Sequence, residues 1–191
     1  MQRSPRPARA GSPRAGDRRA RRRVRRGRAG VPREAPARLC RTRRVTDPQT
    51  LARACADAMW AGDHASPGLG MRLEDIGPGR AVMSMVVTEA MVNGHGICHG
   101  GFIFTLADSA FAYACNSHGD RAVAQHCAIT YLRPGRRGET LRAEAIERVR
   151  AGRSGITDVR VTGGDGAVVA ELRGNSRLTG GRFFETEGEK A

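Results

Sequence analysis

One stretch constrains the fold of this chain more than any other. Residues 101–115, GFIFTLADSAFAYAC, are almost wholly apolar, and their spacing predicts a helix. Phe102, Ile103, Leu106, Ala107, Ala110, Phe111 and Ala114 supply more than one apolar stripe, as a helix buried on most sides requires. The run carries a single carboxylate, Asp108. Burying an ionised carboxylate costs roughly several kcal/mol unless it is paired, hydrogen-bonded or used, so its place here asks for a reason.

The segments around this helix are of two kinds. Thr46 and Asp47 before Pro48 make a helix start, and Leu51, Ala54, Cys55, Ala58 and Met59 continue with helical period to about Ala61. A turn around Ser66, Pro67 and Gly68 ends that element. Leu69 to Ile76 and Arg80 to Val87, joined by GPG, read as a hairpin. After the central helix, Ala122 to Leu132, Thr140 to Val149, Ile156 to Thr162 and Ala167 to Leu178 are rich in Val, Ile and Thr and are separated by glycine-bearing turns. With one long apolar helix to cover about six strands, the expected architecture is α+β: a curled antiparallel sheet wrapped around that helix.

Projected at about 3.6 residues per turn, Thr105, Asp108, Ser109 and Ala112 share the one polar face. The helix begins near His99, Gly100 and Gly101. Its first N–H groups have no partner within the helix, and glycine admits a ligand close to the backbone. Such an end suits an oxyanion hole. Gly100 and Asp108 lie about 12 Å apart along the axis, too far to act together on one carbonyl carbon. If both serve one site, they come from two copies of the helix, antiparallel in a dimer with two equivalent sites.

At these residues the chain resembles a known family. Asn93-Gly94-His95-Gly96, Cys98-His99-Gly100-Gly101-Phe102, Leu106-Ala107-Asp108-Ser109-Ala110 and Ala128-Ile129-Thr130-Tyr131-Leu132-Arg133-Pro134 are similar to the hotdog-fold acyl-CoA thioesterases, and to the phenylacetate-pathway PaaI subgroup in particular. The likeness covers roughly residues 46–178, including TDPQTLA, and the leader has no counterpart in it. It implies hydrolysis of a (hydroxy)phenylacetyl-CoA or related aryl or acyl thioester to free acid and coenzyme A, in phenylacetate catabolism. It also implies that Asp108 activates water or itself attacks the carbonyl, that the Gly100 N–H polarises the carbonyl oxygen, that His99 shapes or assists that hole, and that Asn93 helps to hold nucleophile or substrate. Ser109 is a further candidate on the Asp108 face. The family implies a homotetramer of two dimers, no metal and no cofactor beyond the coenzyme A of the substrate. Coenzyme A brings phosphates, so Arg133, Arg136 and Arg137 in the turn RPGRRG, and Arg150 and Arg153 around the turn AG, are candidates to meet it.

Blander readings stand beside these. Asp108 can be a structural carboxylate, His95 and His99 loop histidines that satisfy backbone groups, Asn93 a turn residue, and Cys98 a small packing residue rather than a nucleophile. His95, Cys98 and His99 also number the three protein ligands of a catalytic zinc, but glycines on both sides of His99 suit anion contact better. A non-catalytic hotdog module that binds acyl-CoA is the alternative to an enzyme.

Charge sets the leader apart. Residues 1–44 hold 17 of the 33 Lys and Arg but only Asp17 and Glu34 of the 19 acids, so the formal net charge of +14 belongs to this segment and the remainder is close to neutral. Residues 1–45 are expected to be a disordered Arg-rich leader, residues 46–180 the thioesterase domain and residues 181–191 a frayed tail. The leader reads as a nucleic-acid tether, a targeting peptide or the product of a start codon placed too early, with Val45 the true first residue; nucleic acid is the less favoured partner. No apolar run approaches the roughly 20 residues that cross a bilayer, so no membrane partner is expected. Five cysteines, Cys40, Cys55, Cys98, Cys115 and Cys127, show no CxxC spacing, and they fit a reducing, cytoplasmic setting.

Overall fold

The computed structural model describes residues 47–184; the expected leader and the last seven residues lie outside them. The Asp47 side chain caps α1 (Pro48–Trp60) by accepting from the Thr50 N–H, and Pro48 occupies the first turn, where its missing N–H is harmless. The buried face of α1 is Ala52, Cys55 and Ala56 with Met59 packed beside it, whereas Ala58 is exposed. In so alanine-rich a helix the apolar periodicity is weak, and docking against β1 decides which face turns inward. Gln49 helps to fix it by donating to the Ile76 carbonyl at 2.6 Å.

The expected turn at Ser66 is one turn of helix, α2 (Ala65–Gly68), because the Asp63 carboxylate accepts from the N–H groups of both Ala65 and Ser66. The hairpin follows as β1 (Arg72–Gly77) and β2 (Arg80–Val86), then a 3₁₀ turn at Glu89–Met91 and the long helix α3 (Gly100–Cys115). The remaining strands are β3 (Asp120–Tyr131), β4 (Thr140–Ala151), β5 (Ser154–Thr162) and β6 (Val168–Arg182). Residues 181 and 182, expected to belong to a frayed tail, continue β6: Arg182 pairs with Asp120, and the Phe183 N–H donates to the Gly119 carbonyl. The two glycines before Arg182 look like a strand end, but a long neighbour gives them a backbone to pair with.

The six strands form one sheet in the order β1-β2-β4-β5-β6-β3, antiparallel throughout. After β2 the chain runs through α3 to the far edge, lays down β3, and returns to β4 beside β2. The sheet curls around α3, whose Ile103, Leu106, Ala107, Ala110, Phe111 and Ala114 meet Met83, Leu141, Val159, Val161 and Leu172 in one core. Burial of each such large side chain contributes roughly 1.5–3 kcal/mol relative to exposure. This is the α+β curled-sheet arrangement that the helix and strand pattern implied, and the hotdog fold that the family resemblance implied.

One glycine sets how closely α3 lies on the sheet. A Cβ at Gly174 in β6 meets the Phe111 ring at 2.6 Å. Phe111 is only 1% exposed and has nowhere to retreat. Gly174→Ala is therefore expected to cost about 1–3 kcal/mol or more through overpacking. Chemical denaturation of the two chains checks this, and an unchanged midpoint contradicts it.

Candidate active site

The loop before α3 is tightly held. The Asn93 N–H donates to the Ile97 carbonyl and the Gly96 N–H to the Asn93 carbonyl, while the Asn93 side-chain oxygen accepts from the His95 N–H at 2.9 Å. The Cys98 N–H donates to the Gly135 carbonyl and the His99 N–H to the Met91 carbonyl, so β4's approach and the 3₁₀ turn fix where α3 begins. Asn93 thus builds a turn with its carbonyl oxygen, leaving its amide NH₂ without a partner among the described residues.

His99 is the N-cap of α3. Its Nδ1 accepts from the Gly101 N–H at 3.0 Å, and its carbonyl accepts from Phe102 N–H. A nitrogen that accepts carries no proton, so the neutral imidazole holds its proton on Nε2, on the ring edge facing away from the cap. Two of the orphan donors of the first turn are thereby satisfied. The Gly100 N–H has no acceptor among the described residues. Tyr131, at the end of β3, closes the other side: its hydroxyl donates to the Gly100 carbonyl at 3.0 Å, and its ring lies 3.1 Å from where a Gly100 Cβ would stand. A free donor at a positive helix end, on a residue with no side chain of its own, is the geometry of an oxyanion site.

Two turns further along, Asp108 is half-buried and makes no ion pair among the described residues. Burial pushes its carboxyl above the ordinary carboxylate range, and a weak bond from the Cys127 thiol, 3.7 Å from Oδ1, pulls it part of the way back. A cleft of about 450 Å³ opens beside it, lined by Phe111, Ala112, Ala122, Val123 and Ala124, with Arg121 at its edge. Ser109, on the same face, is tied by its hydroxyl to that of Ser66 at 3.3 Å and so anchors α2 against the helix. Thr105 spends its hydroxyl on the Gly101 carbonyl at 2.7 Å.

The five candidate arginines do not gather. Arg133, Arg136 and Arg137 lie near the start of α3, the end marked by Tyr131 and Gly135. Arg150 and Arg153 lie at the far end of β4, twelve residues or about 40 Å of strand away. Arg133 bridges Glu139 and Asp165, Arg137 pairs with Glu89, and Arg150 with Asp120 at 2.6 Å. Arg153 donates to the Leu178 carbonyl. The Arg136 side chain makes no ion pair among the described residues.

Asn93, His99 and Gly100 thus share one end of α3, and Asp108 sits about 12 Å along it. Within one protomer they do not converge on a point. Cys127 is the neighbour of Asp108 that sequence reading passed over. In the structure β3 changes phase, with half-buried positions moving from even to odd residue numbers, and the residues alone carry no sign of it. Cys55, Cys98, Cys115 and Cys127 are all free thiols, and no three His, Cys, Asp or Glu side chains are grouped to hold a metal among the described residues. No described helix is long and apolar enough to cross a membrane.

Comparison with known proteins adds to this geometry. Residues 95–170 match the family model of the Thioesterase superfamily. The acyl-coenzyme A thioesterase PaaI of Escherichia coli K12 is 45% identical over 126 residues, which are 66% of this chain and 90% of that protein. The solved structure of the E. coli PaaI protein from the phenylacetic acid degradation operon superposes with a TM-score of 0.70 at 43% identity, covering 71% of this chain and 99% of that one. A Streptococcus mutans UA159 protein solved bound to acetyl CoA gives a TM-score of 0.57 at 28% identity, over 59% of this chain and 90% of its own.

Proposed function

The chain belongs to the thioesterase superfamily, among its PaaI-like acyl-CoA thioesterases, and from that premise we propose that its α3 helices, paired in a dimer, hydrolyse acyl-CoA thioesters. It is a hydrolase of thioester bonds. The substrate class that the relatives support is a phenylacetyl-CoA or a similar aryl or acyl thioester. The observation that carries the site is the Gly100 N–H, without an acceptor among the described residues, at the start of a helix that also bears a half-buried carboxylate with no ion pair among them.

In this reading the thioester oxygen rests on the Gly100 N–H of one subunit, with the His99 ring at its side. The partner subunit's Asp108 faces the carbonyl carbon. Asp108 either takes a proton from water as water attacks, or attacks itself to form an anhydride that water then opens. Both routes consume one water and release the free acid and the coenzyme A thiol. Both need a carboxylate, a donor and water, so no cofactor or metal enters. The Asn93 amide, whose NH₂ has no partner among the described residues, holds the nucleophile or the thioester.

The need for a partner rests on the 12 Å separation, and the exposed edge of β3 supports it. That twelve-residue strand ends the sheet, with Val123 54% and Tyr131 48% exposed. A long edge strand with unpaired backbone groups is a liability in a monomer and a seam in a dimer. Two such dimers give the homotetramer. The arginines near the start of α3, Arg136 foremost because its side chain makes no ion pair among the described residues, meet the coenzyme A phosphates. Arg150 and Arg153 reach the same nucleotide only across the dimer.

A panel of acyl-CoAs with release of free thiol as the readout tests the function. Turnover of arylacetyl-CoA above that of short aliphatic thioesters is the expected result. A thermal shift with coenzyme A but no thiol release from any thioester overturns it in favour of a binding module.

A further inference from the structure

Resting on the reading of Asp108 as the reacting group, we propose that Cys127 is a positioning residue for this reaction, its thiol donating to Oδ1 of Asp108 so that Oδ2 is presented to the substrate.

The strand is bent to make that contact. In β3, Ala122 pairs with Leu178 and Ala124 with Ser176, but His126 pairs with Asn175 and Cys127 with Gly174. Gln125 is the extra residue of a bulge. A bulge reverses which residues of a strand face inward. Ahead of it Ala122 packs on the core; beyond it Cys127 and Ile129 do. Without the bulge, Cys127 faces away from α3 and His126 faces Asp108. The neighbour opposite Cys127 is Gly174, the residue whose missing side chain admits Phe111 and lets α3 lie close. Both features bring a thiol on the edge strand to 3.7 Å from a carboxylate on the helix.

Among the described residues this is the one hydrogen bond the Asp108 carboxylate receives. A carboxylate otherwise turns freely about its last bond, so one donor on one oxygen sets the plane of the group. The donor is secure, because burial, and then the Asp108 charge, push the Cys127 thiol up to about 11, and the sulfur keeps its proton through the neutral range. The other titratable groups around Asp108 are Cys115 on α3, pushed up to about 12 chiefly by burial, and Arg121 on β3 at the cleft edge. β6 adds the neutral Thr179 and α1 the apolar Met59. The Cys127 thiol is thus the one group in this set that both contacts Asp108 and favours its charged form.

The alternative is that Cys127 merely fills space. Steady-state kinetics across pH on wild type, Cys127→Ala and Cys127→Ser separate the two, with Asp108→Asn as reference. Removing the donor raises the Asp108 pKa further, so Cys127→Ala should shift the acid limb of kcat to higher pH. Its kcat should drop about threefold to tenfold, the size expected for losing a weak donor to a charged acceptor, with KM little changed. Cys127→Ser keeps a donor and should hold the limb at or below the wild-type position while recovering most of the rate. Wild-type limbs in both variants overturn the proposal, as does a shift of both in the same direction, which is what a packing change alone produces. If Asp108→Asn keeps its activity, the assignment of Asp108 fails, and this inference with it.

Discussion

Asp108→Asn is expected to lower kcat by about 10²-fold or more while the protein stays folded, as the loss of a base or nucleophile does. The substitution keeps size and shape but removes the charge that either route to the products requires. A second readout comes from stability. Burial holds the folded-state pKa of Asp108 above its ordinary value. At neutral pH the unfolded chain therefore ionises this group more readily than the folded one, and its charge opposes folding. Asn carries no such charge. Its melting temperature should hold or rise at neutral pH, and the difference should shrink as pH falls to the ordinary carboxylate range. In the wild type, activity should fade as pH drops through the raised value, earlier than for a solvated carboxylate. Turnover and thermal melts of the two chains measure both effects. A folded Asp108→Asn chain with wild-type turnover removes Asp108 from the mechanism.

A buried carboxylate that costs stability asks for a chemical role, and this is why the sequence reading singled out Asp108 on so apolar a helix as the candidate reacting group. The run from Gly101 to Cys115 could only be a core helix, and the absence of a second one left the strands to wrap it. The start of α1 was equally plain, since Asp47 and Pro48 each have a local reason to be there. Local reasons also explain the distance between Gly100 and Asp108, because a helix fixes its own length.

What escaped the sequence depends on contacts between distant segments. The bulge at Gln125 follows from pairing with β6, and QHCAITY by itself gives no sign of which residue is extra. Gly174 has its meaning only beside Phe111. The inward face of α1 was misread because alanines at 52, 54, 56 and 58 look alike until a sheet chooses among them. The arginines were a different case. One whole strand separates RPGRRG from AG, and a hairpin places successive turns at opposite ends, so their distance was open to reading in the chain. The proposed dimer is what would have to bring them near one nucleotide.

Gly100→Pro puts the shared site itself to the test. Proline removes the N–H while its fixed backbone angle suits the first helical position. His99, at φ −62° and ψ 131°, already has the extended conformation that a residue before proline prefers. The new ring must push Tyr131 aside by a few tenths of an ångström from its 3.1 Å contact, which a half-exposed side chain at a strand end tolerates. Gly100→Ala carries the same crowding but keeps the donor, so it serves as the control. Losing one oxyanion donor should reduce kcat by about 10²- to 10³-fold in the proline chain, with a much smaller effect in the alanine chain. Co-expressing Gly100→Pro with Asp108→Asn then separates one subunit from two. If the sites are shared, half of the dimers are mixed, each holding one site built from an intact Asp108 and an intact Gly100, and about a quarter of wild-type activity returns from two inactive parents. If each protomer carries its own complete site, every site in the mixture is damaged and no activity returns. With both parents folded, dimeric and inactive on their own, the second outcome rejects the antiparallel pairing of α3 helices.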